Sequence, residues 1–135
     1  MPRLPLTMVD YVVVALIAAG RIDEARATWR PDVMLPRNYY WLLWTVLRAE
    51  IAVALADRVE GTRLHAELLP WAGSFAGLSS GSITLGPVDL ALADLVLLLG
   101  RPAQQREAHL HAAARLAREV GAPHWERRAL DALRS

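Results

Sequence analysis

One layout occurs three times along this chain: an apolar helical segment, a tight turn, and a more polar, alanine-rich helical segment. When the turn residues Gly20, Asp57 and Gly100 are aligned, they are 37 and 43 residues apart, a period typical of helical repeats. A single helical pair cannot bury its apolar face alone, so successive pairs stack and share one core. The repetition therefore predicts an all-α fold in which antiparallel helical pairs stack on one another.

Signals for helix ends place these pairs along the chain. Gly20 is a natural end for helix one, and Asn38 is the predicted N-cap of helix three. We predict one helical-repeat domain over residues 1–135, with hairpins at about 5–30, 38–70 and 84–120. A short capping helix is predicted at about 124–134, after a proline. Residues 72–86 contain four glycines and a run of serines, which predicts a mobile loop.

The composition excludes several classes of function. The chain is 54% hydrophobic and 21% charged, which excludes disorder, and its net charge of +1 disfavours binding to nucleic acid. It has no cysteine for disulfides or thiolate chemistry, and all fifteen basic residues are arginine, which excludes Schiff-base lysine chemistry. The apolar run at 12–19 is too short to span a membrane, and Arg48 and Glu50 interrupt the run at 39–55. We expect a cytoplasmic protein without a membrane segment.

No group of side chains in the sequence forms a recognisable catalytic or metal-binding set. The glycine-rich stretch has no P-loop lysine and no preceding strand, so it is interpreted as a connector rather than a phosphate-binding loop. His109 and His111 project about 200° apart on one helix and cannot share a metal ion from one face. The serines near residue 80 lack the Gly-x-Ser-x-Gly pattern. We expect no enzyme activity, no cofactor and no metal.

Aromatic side chains crowd the beginning of helix three, at Tyr39, Tyr40, Trp41 and Trp44. A stripe that faces one core covers little more than about 100° of a helix, so some of these side chains must face a second layer. Thr45 and Arg48 provide the polar groups on the side of Trp41. We hypothesise that Trp41, Thr45 and Arg48, with the neighbouring aromatics, bind a protein segment or ligand. The alternative is that they only fill the repeat stack.

Helix one is apolar around most of its circumference although no helix precedes it in the sequence given. A terminal repeat normally has a polar outer face. The mean hydropathy of +0.22 also indicates apolar surface that folding leaves uncovered. We predict that Val9, Val13, Leu16 and Ile17 contact a second copy, as a homodimer, or further repeats of a longer chain.

Two resemblances to known families support the repeat interpretation. The segment from Ala18 to Ala25, followed by Trp29, resembles the centre of a tetratricopeptide repeat, where a small residue and an aromatic lock the two helices together. The second resemblance covers nearly the whole chain. The order of its motifs is similar to that in the C-terminal repeat region of actinobacterial LuxR-type or related ATPase regulators, and of cyclase-like relatives. This resemblance rests on short sequence motifs such as Leu35-Pro36-Arg37, Leu68-Leu69-Pro70-Trp71, Leu98-Leu99-Gly100-Arg101 and Gly121-Ala122-Pro123-His124-Trp125.

These resemblances imply a tetratricopeptide-like α-solenoid of about three antiparallel hairpins plus a C-terminal helix. They also imply a module of a bacterial transcriptional regulator that senses a signal or binds a protein partner. Neither a Walker motif nor a DNA-reading helix is present in the sequence, and the family contributes no catalytic residue to this segment. Two alternatives stay open: a free-standing adaptor, and a small-molecule-binding helical protein with an aromatic pocket near helix three.

Overall fold

A computed structural model describes residues 6–35, 37, 40–77 and 84–135. This part of the chain is mostly helical, as predicted, and it contains the helices α1 (Leu6–Ala18), α2 (Ile22–Thr28), α3 (Trp41–Ala54), α4 (Arg58–Leu68), α5 (Val88–Leu98), α6 (Ala103–Glu119) and α7 (Pro123–Leu133). The predicted N-cap Asn38 lies outside the described residues, and α3 begins at Trp41.

The glycine-rich stretch differs from the prediction of a loop. A 3₁₀ turn at Leu69–Trp71 is followed by strand β1 (Phe75–Gly77), which pairs antiparallel with β2 (Thr84–Pro87) in a two-stranded sheet. The pairing satisfies backbone groups in a segment without helical periodicity. Both strands contact the helices, so the described ends of this stretch are part of the packed structure.

Four helices end with the same backbone device. The second residue after each of them has a positive φ: 75° at Gly20, 55° at Ala56, 67° at Gly100 and 74° at Gly121. The next amide then bonds back to a carbonyl in the last turn, as Asp57 N does to Ala52 O at 2.8 Å. The structural equivalent of Gly20 and Gly100 is therefore Ala56, one position before the Asp57 of the sequence alignment.

Asp57 instead joins two helical pairs. Its carboxylate caps α4 by accepting a hydrogen bond from the backbone N–H of Glu60 at 3.1 Å. The other carboxylate oxygen accepts a hydrogen bond from the indole Nε1 of Trp29, also at 3.1 Å. Trp29 directly follows α2, so one side chain fixes the beginning of α4 and the end of the first helical pair.

Helix α3 packs on two sides. Leu47, Ile51 and Leu55 are buried with Val13 and Trp29 in a cluster between α1, α2 and α3. A second set on α3 packs against α4, α5 and β1, in a cluster whose buried members include Val46, Ala49, Ala52, Leu64, Leu68, Leu92 and Leu95. Burial of each large aliphatic side chain is worth about 1.5–3 kcal/mol. The apolar character around α3 is thus explained largely by contacts within this chain.

The helical pairs contact one another in sequence order. Each pair joined by a tight turn, α1–α2, α3–α4 and α5–α6, is in contact, and α3 also contacts α1 and α5. Helix α7 packs on α6, where Ala129 meets Ala113 and Ala114. In the described part of the chain, no helix combines the length and the apolar character that crossing a membrane requires.

Of the four side chains predicted as a contact surface on helix one, one is buried within this chain and three are half-buried. Val13 is fully buried between α1, α2 and α3, and Leu16 and Ile17 pack against the same cluster. These side chains lose part of their exposure because α3 packs against α1. Val9 is half-buried, and contact of this helix with another chain stays a prediction.

Candidate binding groove

A large cavity lies between the first helices of the helical pairs. It has a volume of about 530 Å³ and is bounded by α1, α3, α5, α7 and β2. We call it the groove. It is lined by Val14, Ile17, Ala18, Glu50, Ile51, Val53, Ala54, Leu85, Asp94, Trp125 and Arg128. A smaller recess of about 110 Å³ continues it and shares Glu50, Leu85, Asp94, Trp125 and Arg128. Apolar walls therefore surround a small group of charged side chains.

The position of Glu50 follows from the helical period of α3. Glu50 lies nine residues after Trp41, which places the two side chains about 180° apart on the helix. The Trp41 side packs toward α4, so the opposite side, with Glu50, faces the groove. Asp94 reaches the same space from α5, and both carboxylates keep contact with solvent.

The groove walls alter the acidity of both carboxylates. Loss of surrounding water raises the pKa of Glu50 above its ordinary value, and the nearby charge of Asp94 raises it further. The same desolvation raises the pKa of Asp94. The guanidinium of Arg128 lowers the pKa of both groups, and Arg106 lowers that of Asp94, but desolvation is the larger effect. Neighbouring positive charge only partly offsets the cost of keeping these carboxylates ionised.

Arg128 and Trp125 form the α7 side of the groove. The Arg128 guanidinium carbon lies 5.5 Å from the Trp125 ring centre, within cation–π range. Trp125 packs directly over the backbone of Gly86 in β2, where φ is +85°. A Cβ added to Gly86 would lie 2.6 Å from the Trp125 Cε3 atom. Close approach of the indole therefore depends on the absence of a side chain at this position.

The residues predicted to bind a partner lie in a different place and are buried. Trp41, Thr45 and Arg48 share one side of α3, as predicted, but their exposed fractions are only 7%, 0% and 2%. They border a recess of about 70 Å³ together with Arg63 and Glu67 of α4. Their side therefore faces the second helix of its own pair. The groove lies on the opposite side of α3.

The polar groups of this buried set bind within the protein. The Thr45 hydroxyl donates to the carbonyl of Trp41 at 2.6 Å. The Arg48 guanidinium donates to Asp10 Oδ2 at 3.0 Å and also to the carbonyl of Val33. Buried polar groups with internal partners have a structural role in this conformation. A ligand contact at these positions stays a prediction, and the burial of the side chains does not favour it.

The remaining predicted aromatics are distributed over different environments. Tyr39 lies outside the described residues, and Tyr40 is 46% exposed. Trp44 is half-buried and meets Tyr11 of α1 edge to face, with ring centres 4.9 Å apart. Tyr40 and Trp44 are not among the residues that line the groove.

A separate polar cluster joins α4, α5 and α6. Asp89 is buried and accepts hydrogen bonds from the backbone N–H of Gly73 at 2.7 Å and from His109 Nδ1 at 2.9 Å. Arg101 contacts His65 Nδ1 at 3.0 Å, and burial together with the Arg101 charge lowers the pKa of His65. Among the described residues, no group of three or more His, Cys, Asp or Glu side chains could hold a metal ion. The cluster fixes the turn after α4 against α5 and α6.

Comparison with known proteins gives no relative from which a function could be transferred. No protein-family model, curated protein or solved structure matches the chain. Sequence reasoning also missed Glu50, Asp94, Trp125 and Arg128 as a set, because they come from three helices far apart in the chain. A usable signal was present, since Glu50 and Asp94 are single acidic residues within strongly apolar helical turns.

Proposed function

We propose that this chain is a tetratricopeptide-like helical-repeat module that binds a segment of a partner protein in the groove. The observation that carries the proposal is the groove itself, a cavity of about 530 Å³ whose mainly apolar walls surround a few charged groups. Among the described residues, two of these groups, Glu50 and Asp94, have no hydrogen-bonded partner. Binding sites typically combine these two properties, because apolar walls supply affinity and a few polar groups supply orientation.

The arrangement of the helices supports a solenoid architecture. Helices α1, α3, α5 and α7 each contribute side chains to the groove, whereas α2, α4 and α6 are not among its described walls. In helical-repeat arrays, a small rotation between successive pairs creates an extended concave surface, which such proteins use for binding. The recurring turn geometry after α1, α3 and α5 is consistent with three copies of one structural unit.

The proposal includes the role that the sequence resemblance implies, an interaction or sensing module of a bacterial cytoplasmic transcriptional regulator. In that setting the bound segment belongs to another part of the regulator or to its protein partner. An ATPase or DNA-binding segment in the same reading frame would support this role. A reading frame without such a segment would favour a free-standing adaptor.

A groove-blocking substitution tests peptide binding directly. Ala54 is exposed on α3 and lines the groove, so Ala54→Trp fills the groove without replacing a core residue. Ala66 is exposed on α4, away from the groove, and Ala66→Trp is the matched control. Random displayed peptides are selected on the purified protein, and the affinities of the selected peptides are measured by fluorescence anisotropy.

We expect Ala54→Trp to weaken binding by about tenfold or more, whereas Ala66→Trp leaves the affinity unchanged. Peptides that bind both variants equally well, or a failure to select any peptide, would contradict the proposal. The small-molecule alternative also has to use the groove, because the recess at Trp41 is only about 70 Å³. A thermal-shift screen against metabolites, repeated on Ala54→Trp, separates that alternative from peptide binding.

A further inference from the structure

We propose that the groove selects a partner segment that carries an arginine or lysine next to apolar residues, and that the cation lies between Glu50 and Asp94. This inference rests on the proposed peptide-binding function and adds the chemistry of the bound segment. It follows from an imbalance of charge and hydrogen bonding within the groove.

The imbalance begins with unused hydrogen-bonding capacity. Within the described residues, neither Glu50 nor Asp94 forms a side-chain hydrogen bond or a close ion pair, although both line the groove. An ionised carboxylate can accept up to about four hydrogen bonds, so the two groups offer many acceptor positions to a ligand. Arginine and lysine bring only donors and a positive charge, which makes them the complementary protein side chains.

The positive charges already nearby do not fill this role. Arg128 stands over the Trp125 ring instead of forming a close ion pair with either carboxylate. Arg106 does not line the groove, and one of its amino groups donates to the carbonyl of Ala132 at 3.2 Å. The groove lining therefore carries two carboxylates against one guanidinium, a net charge of −1 when all three are ionised.

The apolar walls increase the effect of this charge. Two charges attract each other more strongly where apolar side chains displace water, because the effective dielectric constant is lower than in bulk water. Both carboxylates keep contact with water, and partial desolvation by the groove walls raises the pKa of each. An incoming cation would replace the lost solvation with direct charge-assisted hydrogen bonds.

The mainly apolar lining of the groove favours a peptide segment over a free cation. The carboxylates share the groove with apolar side chains that include Val14, Ile17 and Val53. A basic side chain can lay its methylene stem along such walls while its charged end reaches the acids. Apolar neighbours in the same segment would cover the remaining walls. A small free cation would leave most of this apolar surface exposed to water.

The test uses four pools of synthetic peptides with random flanking positions and a fixed central residue: Arg, Lys, Gln or Glu. Binding of each pool is measured on the full chain and on Glu50→Gln/Asp94→Asn. The matched control is Glu119→Gln/Asp131→Asn, which makes the same two chemical changes at exposed positions outside the groove. Thermal unfolding of each variant verifies that it is folded.

On the unmodified chain we expect the Arg and Lys pools to bind about tenfold more tightly than the Gln pool, with the Glu pool weakest. Glu50→Gln/Asp94→Asn should abolish this preference, and the control variant should keep it. Equal binding of all pools, with binding still blocked by Ala54→Trp, would overturn this inference and leave the peptide-binding function intact. Binding that Ala54→Trp does not affect would contradict the proposed function itself. If agmatine alone binds as tightly as the Arg pool, the bound species is a free cation and the inference is wrong.

Discussion

Replacement of Arg48 by methionine tests whether the buried ion pair holds helix α1 in place. Arg48 and Asp10 are 2% and 0% exposed, and they join two helices across 38 residues of sequence. Methionine keeps much of the length and apolar volume of arginine but removes the charge and every donor. Asp10 then stays buried without its cation, and the carbonyl of Val33 loses its Arg48 donor.

Removal of one partner from a buried ion pair costs about 3–5 kcal/mol, because the other charge stays buried without compensation. Among the described residues, no group donates to Asp10 Oδ1, so the substitution would leave both carboxylate oxygens without a partner there. Arg48 also lies 6.0 Å from the ring centre of Trp29, a cation–π contact worth a further ~0.5–1 kcal/mol. Since domains are typically stable by only about 5–15 kcal/mol, we expect a large decrease in the free energy of unfolding.

Urea denaturation followed by circular dichroism measures this change for Arg48→Met, Asp10→Ala and the double variant. The double variant removes both charges. We therefore expect its decrease in the free energy of unfolding to be at least ~2 kcal/mol smaller than the sum of the decreases in the two single variants. A cost below about 1 kcal/mol for Arg48→Met, or strictly additive losses, would refute the reasoning.

The pH dependence provides a second check on the same pair. Burial raises the pKa of Asp10 above its ordinary value of 3.8, while Arg48 lowers it. The folded state therefore holds the Asp10 proton more tightly than the unfolded state does, and this contribution to stability is lost as the pH rises from 3.8 through the folded pKa. Without Arg48 the pKa rises further, so the cost of Arg48→Met should be largest near neutrality and should shrink as the pH falls. A cost that grows toward acidic pH would contradict this assignment.

Three further predictions concern the turns and the groove. Ala56→Gly should increase the free energy of unfolding by up to about 1 kcal/mol, since φ is 55° there, and an unchanged or lower value in urea denaturation would contradict this. Gly86→Ala should decrease the free energy of unfolding by ~1–3 kcal/mol, because the new Cβ would overlap the indole of Trp125. The loss should be smaller in a Trp125→Ala background, and equal losses in the two backgrounds would exclude this contact as the cause. The affinity for Arg-centred peptides should fall as the pH is lowered through the raised pKa values of Glu50 and Asp94, because protonation removes their negative charge. An affinity that rises at acidic pH in anisotropy titrations would refute the cation site.

The helical part of the fold was predictable because its signals are local. Helical periodicity and the glycines at positions 20 and 100 identify helices and their ends within a few residues of sequence. The hairpin of β1 and β2 was not predictable in the same way. Its strands have three and four residues and contain glycine and proline, residues that a sequence pattern assigns to turns. Their pairing depends on contact with the packed helices around them.

The groove could be predicted only in part, because α3 has no clear apolar stripe. Its sequence identifies a buried helix but does not determine which side faces which neighbour. That choice is made by α1, α4 and α5, whose contacts with α3 are distant in sequence. The buried pair of Asp10 and Arg48 illustrates the difficulty. A sequence pattern shows one arginine among apolar residues, whereas its partner 38 residues away decides that it points inward.

The absence of a side chain at Gly86 helps to set the width of the groove. Trp125 rests on that spot, so the distance between α7 and β2 is set by the smallest substituent an amino acid offers. A methyl group there would overlap the Trp125 ring. We expect α7 to move away from β2 as a result, which would widen the groove at Arg128 and Asp94. Homologous chains with alanine or serine at this position should accordingly bind larger ligands. The width of the groove would then evolve separately from its charge.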